Sequence, residues 1–248
     1  MRIAVYGASG RVGTHLVEAI LGNPGLDLAA ALVSPGSARL GAPVAGGAME
    51  YRSAEAAINC HCDVIIDFST PGASLALQDM LGDKPLPTVI GTTGFDEAQR
   101  EALDAAAARR PLLASANFAI GFEPFAAAVS CFAGLQPGAE PHVEEVYHAR
   151  KKREASGTSR RLVGAIAEAQ GPEAGPAHLR VMRRGDTVGV NSVRFDMGSS
   201  EVTVSFKVHR LAAYAEGALA AARWLLTAAP GNGLFSFADT LVPVAARG

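Results

Sequence analysis

The segment Arg2-Ile3-Ala4-Val5-Tyr6-Gly7-Ala8-Ser9-Gly10-Arg11-Val12-Gly13 decides how the rest of this 248-residue chain is read. An apolar run ends at a glycine, and residues 12–21 then carry apolar side chains at helical spacing. Strand, glycine turn and helix in that order are the setting in which a glycine run signals a dinucleotide site. Gly7 permits the tight turn, Gly10 lets backbone approach a pyrophosphate, Gly13 lets the helix lie close to the sheet, and the amides at the helix start attract phosphate. The spacing is GxxGxxG, and such a run also serves as a plain structural turn. Its place between a strand and an amphipathic helix favours nucleotide binding, which makes Gly7, Ser9, Gly10, Arg11 and Val12 cofactor candidates. Arg11 reads almost equally well as a solvated arginine.

Working outward, Asn23-Pro24-Gly25 breaks the helix, and residues 26–33 (LDLAAALV) read as a second strand closed by Pro35-Gly36-Ser37. A short helical piece is expected over Ser53–Ile58. Residues 63–68 (DVIIDF) form a nearly continuous apolar strand, as a sheet covered on both faces requires. PTVIG at 87–91, a helix over Asp96–Arg110 and PLLASAN at 111–117 continue the alternation. Right-handed crossovers then give an α/β fold with a Rossmann-like doubly wound parallel sheet.

Beyond about residue 140 the rhythm changes. HVEEVYHA alternates, a helix follows Ser156-Gly157-Thr158, and LRVMRR, TVGVNSVRF and SEVTVSFKVH succeed one another. These segments imply an α+β domain with a mixed or antiparallel sheet. A closing helix from about 212 to 226, carrying Tyr214, Leu219 and Trp224, precedes a glycine-rich tail. The expected organisation is therefore a dinucleotide-binding domain over 1–118, a substrate and oligomerisation domain over 119–211, and a helix and tail over 212–248 that return to the first domain.

Composition narrows the function. A net charge of -2 without a basic stripe disfavours nucleic acid as a partner, and no apolar run is long enough to span a membrane. The N-terminus has no export-signal pattern, and three cysteines make an odd count without a repeating spacing, so reduced thiols in the cytoplasm are expected. Cys60-His61-Cys62 places its ligands too close together for an ordinary structural zinc site, so no metal is expected. At the end of the second strand, where NAD-preferring proteins carry an acid for the ribose hydroxyls, this chain has Val33-Ser34. Ser34, Ser37 and Arg39 can instead receive a 2'-phosphate, which favours NADPH over NADH.

Six segments in order, GASGRVG (7–13), GTTGF (91–95), ASANF (114–118), EEVYHARKKREASGT (144–158), RRGDTVG (183–189) and AYAEGALAAARWL (213–225), resemble one family, the 4-hydroxy-tetrahydrodipicolinate (dihydrodipicolinate) reductases of bacterial lysine and diaminopimelate biosynthesis. The resemblance implies hydride transfer from NADPH or NADH to a cyclic, imine-containing dicarboxylate. It adds Phe68, Gly91, Thr93, Asn117 and Phe118 to the cofactor set and implies a homotetramer assembled through the sheet of the second domain. Thr93, His148, Ser156, Gly157 and Thr158 become the substrate-binding candidates, and Lys151, Tyr147 and His148 the catalytic ones, with Lys151 neutralising a carboxylate or assisting protonation and the other two as its polar partners.

The chain departs from the family where the substrate motif begins. The first of the family's two adjacent histidines is Tyr147 here, the Asp and Pro before Ser156 are replaced, Asn191-Ser192 stands where Glu-His is common, and Arg210 is one place out of register. Tyr147 then serves as proton donor if a cation such as Lys151 lowers its pKa, or packs as an aromatic with its hydroxyl on an acceptor. Two other readings follow from these departures: a divergent member that reduces another cyclic imine or enamine acid, and a non-catalytic NAD(P)-binding homologue.

Overall fold

The computed structural model describes residues 1–45, 47, 49–57, 59–229 and 231–241. In chain order its elements are β1 (Arg2–Tyr6), α1 (Arg11–Leu21), β2 (Asp27–Val33), β3 (Tyr51–Ser53), β4 (Val64–Asp67), α2 (Pro71–Leu81), β5 (Thr88–Ile90), α3 (Glu97–Ala107) and β6 (Pro111–Ala114). Then come α4 (Phe122–Leu135), β7 (Glu140–Tyr147), α5 (Gly157–Gln170), β8 (His178–Arg183), β9 (Gly189–Asp196), β10 (Glu201–Val208), α6 (Ala212–Thr227) and β11 (Gly233–Ser236). A 3-10 turn covers Ala54–Ala57, so the expected helical piece is a single tight turn, and Ile58 lies outside the described residues.

The chain divides into two compact units: residues 1–118 with the chain from Tyr214 onward, and Ala119–Ala213. Residues 242–248 of the tail lie outside the described residues. The first unit holds a seven-stranded parallel sheet in the order β11-β6-β5-β4-β1-β2-β3. This is the doubly wound sheet that the alternation predicts. Chain order runs one way from β1 through β2 to β3, then restarts beside β1 at β4 and runs the other way, which puts the switch point between β1 and β4. Val64, Ile65 and Ile66 are fully buried because both faces of the sheet are covered.

Two strands escape the sequence reading. β3 and β11 have three and four residues, too few for alternation to register, and β11 lies in the glycine-rich tail. β11 nonetheless pairs with β6 from Gly233↔Pro111 to Ser236↔Ala114 and sets Phe235 against Trp224 of α6, ring centroids 5.3 Å apart. The helix expected over 96–110 stops at Ala107, and Arg110 lies beyond it fully buried. Its guanidinium donates to the carbonyls of Gln78 (3.1 Å), Gly82 and Lys84 (3.0 Å), taking up acceptors that the end of α2 leaves without helical partners.

The second unit is a four-stranded mixed sheet, β10-β9-β7-β8, in which only β7 and β8 run parallel. One face alternates into a core with α4 and α5, where Phe122, Val129, Val143, Leu162, Ile166, Val193 and Phe195 are buried. The sequence reading does not anticipate α4, whose apolar residues surround the helix and hide its period. Pro124 is tolerated as its third residue, because a first-turn amide has no partner within the helix. Buried Glu123 on this helix is gripped by both terminal nitrogens of Arg161 on α5.

Alanine and glycine bring α6 close to the sheet of the first unit. A methyl group on Gly217 would fall 1.6 Å from the Phe118 carbonyl oxygen, a backbone atom that cannot swing away. Gly217→Ala should therefore destabilise the protein by roughly 3 kcal/mol, although helix propensity alone favours alanine by about 1 kcal/mol. A lower urea midpoint at unchanged slope is the expected result, and a rise in the midpoint would show that α6 does not pack this closely.

Candidate functional site

In the first unit, every sequence-predicted cofactor residue lies at the carboxyl end of a strand. Gly7, Ser9, Gly10, Arg11 and Val12 follow β1, Ser34 follows β2, Phe68 follows β4, Gly91 and Thr93 follow β5, and Asn117 and Phe118 follow β6. Three glycines in these turns and in the first turn of α1 meet close neighbours, two of them backbone. A methyl group on Gly7, whose φ is +77°, would lie 2.4 Å from the Phe68 carbonyl oxygen, and one on Gly13 would lie 2.1 Å from that of Gly7. One on Gly91 would enter the Phe68 ring at 2.3 Å, and that ring stands 5.8 Å from Phe118. No side chain caps the start of α1 at Gly10, which leaves the helix end able to take an anion. These features fit a nucleotide pyrophosphate. Ser34 and Arg39 are exposed beyond β2, with the Arg39 amide on Ser37 Oγ at 3.2 Å.

GTTGF behaves differently from its neighbours. Gly94 has φ +93° and Thr93 is exposed, while the cap of α3 is Asp96 in a reciprocal box with Gln99 (2.9 and 3.0 Å). Thr93 is thus not needed as a helix cap. Asp67, which the sequence reading passes over, ends β4 fully buried. Its Oδ1 accepts from the Ser69 amide (2.8 Å) and the Thr92 hydroxyl (3.4 Å), tying the turn after β4 to the turn after β5. Burial pushes this carboxyl above its ordinary value, and the surrounding donors only partly offset the effect.

In the second unit the predicted substrate residues surround a charge. Glu145 is on the inner face of β7, fully buried, directly opposite Asn191 of β9. Its Oε2 accepts from the Ser156 amide (3.0 Å), the Ser156 hydroxyl (2.5 Å) and the Ser159 hydroxyl, while Arg183 lies 2.9 Å from Oε1. Burial raises the carboxyl's pKa, but these donors outweigh it and hold the group below its usual range. Ser156 also caps α5 through the Ser159 amide at 3.1 Å, so its own amide and hydroxyl are committed within the protein. Gly157 and Thr158 form the first turn of that helix. Asn191 Nδ2 donates to Ser159 Oγ (3.1 Å), and Tyr147 donates its hydroxyl proton to Asn191 Oδ1 (3.1 Å).

Of the two readings of Tyr147, the packed aromatic with its hydroxyl on an acceptor is the one seen. Burial raises its pKa and Glu145 adds to the rise, while the hydroxyls of Thr158 and Ser156 and the charge of Arg183 offset this only in part, so the net shift is upward. Lys151 Nζ is 3.5 Å from the centre of the tyrosine ring, over its face rather than at its hydroxyl. His148 is buried beside them. Arg210 is exposed beyond the end of β10, so the one-place shift does not turn it to the other face of a strand. Burial and neighbouring Cys60 push the Cys62 thiol up to about 12. Among the described residues no three His, Cys, Asp or Glu side chains are grouped to hold a metal, and no helix is long and apolar enough to cross a membrane.

Known proteins match both units. Residues 1–118 match the family described as dihydrodipicolinate reductase, N-terminus, and residues 122–241 match dihydrodipicolinate reductase, C-terminus. The chain belongs to the dihydrodipicolinate reductase family. Proteins named 4-hydroxy-tetrahydrodipicolinate reductase from Thiobacillus denitrificans and Cupriavidus necator are 33% and 34% identical to it, each alignment covering 97% of this chain and 98% or 99% of the relative. A dipicolinate-bound dihydrodipicolinate reductase from Paenisporosarcina sp. TG-14 shares the fold at TM-score 0.76 and 19% identity, covering 98% of this chain and 99% of that one.

The burial of Glu145 has a signal in the sequence itself. Val143, Glu145 and Tyr147 share the inward phase of an alternating strand, and an acid in that phase must be buried and paired. Because its folded pKa is lowered, Glu145 adds stability above the ordinary carboxylate range, and this is lost as pH falls through its folded value. Glu145→Gln should cost roughly 3 kcal/mol at neutral pH by leaving Arg183 without its anion. It should also flatten the acid limb of urea midpoint against pH, and an unchanged limb would mean that other carboxylates dominate it.

Proposed function

We propose that the chain catalyses the NAD(P)H-dependent reduction of 4-hydroxy-tetrahydrodipicolinate to tetrahydrodipicolinate in lysine and diaminopimelate biosynthesis, as a cytoplasmic homotetramer. The observation that carries this reading is the match of both parts of one reductase family, in order, to residues 1–118 and 122–241. The first unit would hold the cofactor. Gly7, Ser9, Gly10 and Val12 offer close backbone to the pyrophosphate, with Arg11 as a phosphate cation, and Phe68, Gly91, Thr93, Asn117 and Phe118 form the nicotinamide end. When bound, the reduced nicotinamide supplies the hydride. Ser34, Ser37 and Arg39, with no acid at the end of β2, support NADPH as the preferred donor.

The second unit would hold the dicarboxylate. Lys151 brings the cation that neutralises one carboxylate and can deliver a proton, and His148 is a polar neighbour. The Gly157 and Thr158 amides at the start of α5 suit a second carboxylate. Since Ser156 is engaged by Glu145, its part is to fix that helix end rather than to contact substrate. The sheet face away from α4 and α5 presents His142, Glu144, Ser192, Arg194 and Thr203, a polar surface suited to self-association. One observation favours a second reading, a related cyclic imine or enamine acid as substrate: Tyr147 replaces a family histidine and gives its proton to Asn191.

NADPH and NADH oxidation, followed by absorbance with the cyclic imine formed freshly from pyruvate and aspartate semialdehyde, tests the proposal. Turnover is expected, with Lys151→Ala lowering kcat/KM by about a hundredfold to ten-thousandfold. Arg39→Ala should raise KM for NADPH by about tenfold while leaving that for NADH unchanged. Cofactor binding without turnover would overturn the assignment, and turnover only with another cyclic imine would establish the second reading.

A further inference from the structure

The hydrogen bonds around Glu145 have a direction. An ionised carboxylate only accepts, so the single proton of Ser159 Oγ goes to Glu145 and that oxygen must accept from Asn191 Nδ2. The amide orientation is thereby fixed, with Asn191 Oδ1 facing Tyr147, and the phenol donates to it at 3.1 Å. Each proton in the series Tyr147, Asn191, Ser159 points toward the buried charge, so the phenolic proton is spent inside the protein.

The ring is employed separately. Lys151 Nζ sits 3.5 Å from its centre, the placement in which an ammonium is held by the negative face of an aromatic. The loop that carries Lys151 is held from the other side, since Arg183 donates to the carbonyls of Lys152 and Glu154, each at 2.8 Å. The same guanidinium pairs with Glu145 and comes within 5.9 Å of the tyrosine ring centre. Ring and loop are therefore fixed by groups that answer to one carboxylate.

We propose that Tyr147 is a positioning residue, not the proton donor: its hydroxyl is pinned through Asn191 to the Glu145 network so that its ring seats the Lys151 ammonium. This rests on the reading above that Lys151 acts on the substrate. It assigns Asn191 a role as the lock on Tyr147, and it places the acid function on the lysine.

The test compares wild type, Tyr147→Phe and Tyr147→Leu in the imine reduction, alongside the NMR shifts of the Lys151 ε-methylene protons. Phe keeps the ring but loses its pin to Asn191, so kcat should fall about threefold to tenfold, and Leu, which removes the seat itself, should lose more, chiefly in kcat. A phenylalanine variant reduced about a hundredfold, as expected for removal of a general acid, would overturn the proposal. The NMR readout stands without turnover and so separates this proposal from the activity assignment. Ring-current upfield shifts are expected in wild type and Tyr147→Phe and should vanish in Tyr147→Leu, whereas ordinary lysine shifts in wild type would show that the seat does not exist.

Discussion

A carboxylate without water must be surrounded by donors, and Glu145 imposes that condition on most of the second unit. Its demand draws in the amide and hydroxyl of Ser156, the hydroxyl of Ser159 and the guanidinium of Arg183, which come from the start of α5 and the end of β8. Satisfying one buried charge thus fixes where a helix begins, how a strand ends and which way the Asn191 amide faces. The arrangement is intolerant of partial loss, because a buried ion missing one donor costs more than the bond that was removed.

In the first unit the corresponding constraint is steric. Gly7, Gly13 and Gly91 stand where any side chain would collide with backbone or with the Phe68 ring, so the turns after β1, β4 and β5 pack within contact of one another. Asp67 joins two of those turns through Ser69 and Thr92. The result is a rigid edge with little side-chain bulk beside the uncapped start of α1, which is what close approach of a pyrophosphate requires.

Features with a local period were legible in the sequence. The strand-turn-helix around Gly7, the apolar run through β4 and the alternating β7 each carry their signal in consecutive residues; the glycine-turn cofactor candidates follow from the first of these, while Phe68, Gly91, Thr93, Asn117 and Phe118 rest on the family resemblance. What escaped detection depends on contacts far along the chain. β11 is a strand only because β6 accepts it, α4 is apolar on every side, and Asn191 acquires meaning only when register sets it opposite Glu145. The residues around Tyr147 are compatible with a phenol made acidic by a nearby cation and equally with a packed aromatic whose hydroxyl meets an acceptor. Geometry selects the second, since the lysine approaches the ring and burial dominates the hydroxyl.

The departures from the family motif are therefore better understood as a set than singly. A neutral histidine offers one ring nitrogen as donor and one as acceptor, whereas a tyrosine at the same position brings one hydroxyl and a wide aromatic face. Burying that hydroxyl requires an acceptor, and Asn191, on the strand opposite and linked through Ser159 to Glu145, supplies it. With the polar end satisfied, the remaining surface of the ring is apolar, rigid and electron-rich, which suits it to hold an ammonium on a flexible stem. Tyr147 and Asn191 thus make sense together: the asparagine removes the cost of the buried phenol, and the phenol's ring gives Lys151 a defined place.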